Sequence, residues 1–275
     1  MKAAAFDYVA PQTVAAALDA LDAEGEARIL AGGQSLAPLL NLRLATPKRL
    51  VDIGRIAALR RIEDRGDHHR IGAMVTHAAI EDGGMALADH GMLAHVAAGI
   101  AYRAVRNRGT IGGSLAHADP SGDWPSALMA LDARAVAAGR AGEREIAIRD
   151  FLRGAFATAL EPGEMLTAIL LPKLSAAARW GYYKIVRKAG EFPEAIGAAL
   201  FDSERRRARI VIGALGSAPL PLDNLAARAA EKGIEAVALD AVEAALREAA
   251  PDLDRIALRH HAVAARRAIL EALAP

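Results

Sequence analysis

A glycine pair at a strand-to-helix junction constrains this chain more than any other feature. Arg28-Ile29-Leu30-Ala31 reads as a short strand that runs directly into Gly32-Gly33, and apolar residues at helical spacing resume over 36–44. Upstream, Val14, Ala17, Leu18 and Leu21 follow the i, i+3, i+4, i+7 spacing of an amphipathic helix, with Thr13 placed to cap it and Gly25 to end it. Beyond Pro47, Leu50-Val51-Asp52-Ile53 reads as a buried strand. The first 53 residues therefore predict a small α/β unit with parallel pairing.

The pattern then changes. Segments 59–63 and 70–74 flank a turn at Gly66-Asp67, which predicts a hairpin. Thr76 can cap a helix ending near Gly83-Gly84, and 85–102 is expected to be largely helical. A second glycine-rich loop, Thr110-Ile111-Gly112-Gly113-Ser114, follows. After it, 124–131 reads as helix, 133–138 as strand, 139–142 as a turn, and 145–148 and 164–171 as strands. Pro172-Lys173-Leu174-Ser175 reads as a linker and puts a domain boundary near 173–178. Segments 180–186, 195–201 and 208–215 predict a three-stranded antiparallel meander, with Glu204-Arg205-Arg206-Arg207 as a solvated turn. Helices over 222–231, 235–248 and 255–273 complete an α+β order.

Composition narrows the chemistry. Hydrophobic residues make up 53% of 275, yet aromatics are only 4%, so the core must be built from small side chains and packed helices. The 34 basic and 33 acidic residues balance, which gives no general attraction to nucleic acid or anionic membranes. The absence of cysteine excludes disulfides, thiolate metal sites and iron–sulfur ligation by this chain. Asp7 interrupts the N-terminus before an apolar signal region can form, and no apolar run reaches the ~18 residues of a membrane span. A soluble, cytoplasmic protein is expected. Neither His68-His69 nor His260-His261 has an i, i+4 partner or a nearby carboxylate set that would suggest zinc, so surface or capping roles and no metal site are expected.

Glycine turns suit diphosphates because a Cβ would obstruct the approach of oxygens to backbone N–H groups. Gly32-Gly33-Gln34-Ser35 precedes a helix start, whose N–H groups and dipole favour an anion, and Ser35 adds a hydroxyl. The second loop offers the same groups again, about 80 residues on. Neither loop is a GxGxxG or GxxxxGK[ST] fingerprint. On these residues alone, a nucleotide site and plain backbone turns both stand. In 118–125, Asp119 reads as a turn former, and Asp123 either caps the next helix or accepts from cofactor hydroxyls. Ser114, His117 and Asp119 lie too close in sequence to form a hydrolase triad. Trp124 and Trp180 read as core or interface anchors.

Segments 31–40, 47–53, 71–76, 106–120, 161–166 and 183–188, in this order, resemble the medium, FAD-binding subunit of the molybdenum hydroxylases, the group of carbon monoxide dehydrogenase and xanthine dehydrogenase. The resemblance covers nearly the whole chain. It implies a vanillyl-alcohol-oxidase-like FAD domain over 1–174, with subdomains at about 1–55 and 56–174. A C-terminal domain over 175–275, with a three-stranded sheet and a helical bundle, would follow. It also implies that Gly32, Gly33, Gln34, Ser35 and Leu36 clasp the FAD diphosphate with Thr110, Ile111, Gly112, Gly113 and Ser114, flanked by Ala31 and His117. Asp123 would hold a polar part of FAD, Leu166 would pack on it, Ile100 would line it, and Lys184 would lie near the flavin, where positive charge stabilises the reduced anion. Ser114 stands where asparagine is common, His117 where asparagine or threonine is common, and Phe192 where some relatives carry a shielding tyrosine. The extra iron–sulfur cluster of one benzoyl-type branch is excluded by the absence of cysteine.

The implied partners are a small [2Fe-2S] subunit and a large molybdenum-cofactor subunit, assembled as a dimer of heterotrimers. Electrons would pass from the clusters through FAD to an external acceptor such as a quinone, oxygen or NAD. Carbon monoxide, a purine, an N-heterocycle and an aldehyde all stay open as substrates. No catalytic acid–base pair is expected in this chain. A stand-alone flavin oxidoreductase with its own substrate site is the alternative.

Overall fold

In the computed structural model, which describes residues 2–22, 26–83, 87 and 89–274, the N-terminal unit is β1 (Asp7–Val9), α1 (Val14–Asp22), β2 (Ala27–Leu30), α2 (Leu36–Asn41) and β3 (Arg49–Asp52). The three strands run parallel in the order β1-β3-β2, as the α/β pattern predicts, and β1 is an addition that too short a segment had hidden. Thr13 caps α1 through a bond from the Ala16 N–H, whereas Gly25 lies outside the described residues. The second helix stops at Asn41, short of residue 44, because Arg43 takes a left-handed φ of 58°.

The hairpin β4 (Ile62–Asp64) and β5 (His68–Gly72) opens a second unit. Thr76 caps α3 (His77–Glu81) through the Ala79 N–H. Gly84 and Met85 lie outside the described residues, and the described helix that follows, α4, spans only Gly91–Gly99. It ends before residue 102 because Ala101 has φ 41°. Three more helices follow: α5 (Arg103–Arg106), α6 (Ile111–His117) and α7 (Asp123–Ala130). Next come β6 (Arg134–Gly139), β7 (Gly142–Ala147), α8 (Ile148–Phe151), the small hairpin β8 (Leu152–Gly154) and β9 (Ala157–Thr158), and β10 (Met165–Pro172). The strands form a five-stranded sheet in the order β4-β5-β10-β6-β7, in which β10 returns between two earlier hairpins.

In the C-terminal part, β11 (Arg179–Ile185), β12 (Ala195–Asp202) and β13 (Arg207–Gly213) form the antiparallel meander. The sheet has four strands, not three, because β14 (Leu220–Pro221) adds to β13. The helices α9 (Asp223–Lys232), α10 (Leu239–Ala249) and α11 (Arg255–Leu273) close the chain. The described helices include none long and apolar enough to cross a membrane.

The sheets and helices form layers. Ile71, Ala135, Ala137, Ile169 and Leu171 of the five-stranded sheet share one core with α4, α6 and α7, and with Ile196, Ala198, Leu200 and Val211 of the four-stranded sheet. All eight residues of α7 are buried, as expected for a helix held between two sheets. The opposite face of the four-stranded sheet, with Ala199, Ile210 and Ile212, packs on α9, α10 and α11. The segment read as a linker is held firmly: Ser175 donates from its N–H and its hydroxyl to the buried Asp202 carboxylate at 2.9 and 2.6 Å.

The alanine bias has its reason here. An ideal Cβ on Gly181 would stand 2.0 Å from the Ala268 carbonyl oxygen, and one on Gly197 2.4 Å from that of Ala264. The last helix therefore lies almost on the sheet backbone. Gly197→Val is expected to lower stability by about 3 kcal/mol, read as a fall of roughly 6–12 °C in the thermal midpoint.

Candidate functional site

Between β2 and α2 the chain runs Ala31-Gly32-Gly33-Gln34-Ser35. Gly33 takes φ 75°, which only glycine adopts without strain, and turns the backbone into α2. Gly32 sits flush on the chain before α6: an added Cβ would meet the Arg108 carbonyl oxygen at 2.0 Å. Among the described residues no acceptor receives the N–H groups of Gly32, Gly33, Gln34, Ser35 or Leu36. Five successive donors in one turn thus lack an internal acceptor. A turn of this kind is a ready cradle for several anionic oxygens.

The second glycine stretch differs from its expected form. It is the first turn of α6, and its N–H groups are spent inside the protein. Ile111 donates to Val75 O, Gly112 to Ala73 O, Gly113 to the Thr110 hydroxyl and Ser114 to Thr110 O, all at 3.0 Å. Its glycines serve close approach instead. A Cβ on Gly112 would lie 2.4 Å from that of Ala73, and one on Gly113 would lie 3.1 Å from the Ala31 Cβ. The two glycine segments therefore touch. Among the described residues no hydrogen-bond partner is present for the Ser114 hydroxyl.

His77 braces this arrangement from below. Its N–H donates to Gly109 O at 2.9 Å, its ring leaves no space for a Cβ on Gly109, and its Nδ1 accepts from the Trp124 indole at 3.1 Å. Burial pushes this imidazole down to about 4, with the Arg106 charge acting in the same direction.

A second group forms around Asp123. This residue is the first of α7 and is buried, and its carboxylate caps nothing. It accepts from Tyr182 OH and from Lys184 Nζ, each at 2.7 Å, and Lys184 also donates to Gly99 O at 2.9 Å. Burial and the Asp123 carboxylate raise the Tyr182 phenol well above its usual value. Tyr182, Lys184 and Gly99, with His95, Tyr183 and Glu271, line a cavity of about 320 Å³. Ile100 follows Gly99, and its carbonyl is fixed by Arg106, which is itself clamped by Glu81.

The remaining expected residues are more dispersed. Leu166 is buried in β10 within the core that contains α6. His117 closes α6 and stacks at a tilt on Phe156, 5.1 Å between centroids. Asp119 makes the turn expected of it, accepting from the Ser121 N–H. Phe192 is 69% exposed. The histidine reading needs correction: His69 and His261 are buried, and His69 meets Asp89 and His90 in one cluster. The folding of β5 beside the start of α4 creates that proximity. Tyr182, Gly99 and His77 were invisible in the sequence, because their partners lie 47 or more residues away.

Residues 4–174 match the family model described as the FAD binding domain in molybdopterin dehydrogenase. The chain belongs to this family. It is 38% identical over 217 residues to the nicotine 6-hydroxylase medium subunit of Paenarthrobacter nicotinovorans, covering 78% of this chain and 76% of that one. Identity to the carbon monoxide dehydrogenase medium chain of Afipia carboxidovorans is 40% over 196 residues, covering 71% and 68%. Among solved structures, reconstituted CO dehydrogenase from Oligotropha carboxidovorans superposes with a TM-score of 0.92 at 33% identity, covering 100% of this chain and 99% of that chain. Quinoline 2-oxidoreductase from Pseudomonas putida 86 gives 0.89 at 32% identity, covering 99% and 98%. The chain is thus an α+β, FAD-binding oxidoreductase subunit of the carbon monoxide dehydrogenase and xanthine dehydrogenase type.

The buried His77 gives a pH dependence with a defined sign. In the unfolded chain its value returns to 6.5, so between 6.5 and about 4 the unfolded state binds more protons. Its contribution to stability is complete above pH 6.5 and is lost as pH falls towards 4. Denaturant unfolding across this window is expected to show a smaller slope of stability against pH in His77→Asn, whose Oδ1 takes the place of the Nδ1 acceptor for Trp124 but does not titrate.

Proposed function

We propose that this chain is the electron-transferring flavoprotein subunit of a heterotrimeric molybdenum hydroxylase. In this reading it takes electrons from the [2Fe-2S] clusters of a small partner and delivers them to an external acceptor. A large molybdenum-cofactor subunit oxidises the substrate, and the assembly is a cytoplasmic dimer of heterotrimers. The FAD fold is of the vanillyl-alcohol-oxidase-like kind, with subdomains over 1–55 and 56–174 and a separate unit over 175–275. The carrying observation is the turn at 32–36, whose five N–H groups lack internal acceptors and whose Gly32 admits no Cβ.

FAD supplies two-electron and one-electron redox chemistry in one group. The residues of this chain hold and bias it. The N–H groups of Gly32, Gly33, Gln34, Ser35 and Leu36, with the Ser35 hydroxyl, take the diphosphate oxygens. Thr110, Ile111, Gly112, Gly113 and Ser114 form the opposite wall. In that wall, the Ser114 hydroxyl makes no hydrogen bond among the described residues, and the backbone supplies shape rather than N–H bonds. Ala31 and His117 flank the two segments, Leu166 supports α6, and Ile100 borders the cofactor beside Gly99.

Lys184 supplies positive charge near the flavin, but Asp123 offsets much of it at 2.7 Å. The pair is a tuned field and not a bare cation. Lys184→Met leaves Asp123 uncompensated and is expected to lower the flavin midpoint potential, whereas Asp123→Asn raises it; spectroelectrochemical titration reads both.

The complex itself is tested by purifying the tagged chain from its native host and assaying iron, molybdenum and flavin. Co-purification of all three, with flavin reduced by a substrate of the complex, is the expected result. Flavin without iron or molybdenum would support the stand-alone oxidoreductase. Within the chain, Gly32→Ala is expected to weaken FAD at least about tenfold, roughly 1.4 kcal/mol. Gly66→Ala, whose added Cβ meets no atom within 4 Å but whose φ of 89° strains the hairpin turn, is expected to cost some stability and keep FAD.

A further inference from the structure

His69 on β5 and Asp89-His90 at the start of α4 stand outside the cofactor site, in a cluster that the fold alone explains poorly. The three side chains offer ligand atoms that all lie within 4.8 Å of one another. His69 Nε2 is 3.0 Å from Asp89 Oδ1, and His90 Nε2 is 3.6 Å from Asp89 Oδ2. These two separations bracket the ~3.3 Å expected between ligand atoms set ~2.0–2.1 Å from a tetrahedral ion.

Burial makes the cluster costly without a partner. His90 is 1% exposed and His69 is 4% exposed. Among the described residues His90 Nε2, the ring nitrogen nearest Asp89, makes no hydrogen bond. An unsatisfied buried polar atom costs roughly 1–3 kcal/mol, and an ion held between the two Nε2 atoms and Asp89 would give His90 Nε2 the partner it lacks. The Asp89 side chain retains one-third exposure, which leaves an entry path and a position for water.

We propose that His69, Asp89 and His90 form a divalent-metal site of the zinc class, with water as the fourth ligand. Two imidazoles and one carboxylate without thiolate suit this borderline ion and disfavour calcium or magnesium, which prefer all-oxygen shells. The metal would fasten the beginning of α4 to β5 at the end of the five-stranded sheet, where His69 stands opposite Leu171. It would be a structural staple. The other end of α4 carries Gly99, the acceptor of Lys184, so the staple would also steady the Asp123–Lys184 group.

The test uses the full-length chain with FAD bound, dialysed against a chelator and titrated calorimetrically with zinc chloride. One zinc per chain is expected, with a rise in thermal midpoint on binding. In His90→Gln the affinity should fall at least tenfold and the midpoint rise should vanish. Asp89→Asn, altered at a partly exposed residue, should behave likewise if His90→Gln fails to fold. No zinc uptake by the parent chain, or uptake unchanged in the folded variants, overturns the proposal. Elemental analysis distinguishes this zinc from iron and molybdenum of any partner subunits.

Discussion

The structure depends on one close backbone approach, that of Gly32 onto the Arg108 carbonyl. The contact seats the β2–α2 turn of the N-terminal α/β unit against the chain that enters α6. It leaves the turn's own N–H groups unpaired while the neighbouring N–H groups are fully used. An unpaired donor is tolerable where a ligand or water can reach it and costly where neither can. The N-terminal unit thus provides the donors, and the second unit provides the surface that fixes their direction. Neither does so alone.

The two glycine pairs share one reason and differ in another. Gly32 admits the Arg108 carbonyl, while Gly33 turns the backbone with a positive φ. At Gly112-Gly113 the absence of a side chain lets α6 lie on Ala73 and Ala31. The same economy recurs where Gly181 and Gly197 admit α11 onto the C-terminal sheet. A chain with 4% aromatic residues gains its buried area through proximity of backbones, not through large side chains.

Much of this was legible in the sequence because it is written in local periodicity. The parallel unit, the hairpin at Gly66, the C-terminal meander and the last three helices follow from spacing and turn residues. What escaped was set by tertiary pairing. β14 is a two-residue strand that exists only because β13 is beside it. The early ends of α2 and α4 come from left-handed residues at Arg43 and Ala101, types that carry no turn signal. The pairing of Lys184 with Asp123, 61 residues away, is not written in local spacing, and the surface role given to His69 missed Asp89 and His90. The family resemblance named Asp123 and Lys184 together, yet only the fold shows that they neutralise each other.

The central claim is that backbone donors at 32–36 hold a diphosphate. Comparing FAD with FMN and riboflavin on the deflavinated chain, by flavin fluorescence quenching, tests it most directly. FAD should bind at least about a hundredfold more tightly than FMN, roughly 2.7 kcal/mol, and riboflavin no better than FMN. Equal affinity for all three would show that the isoalloxazine alone is recognised, and would contradict the account.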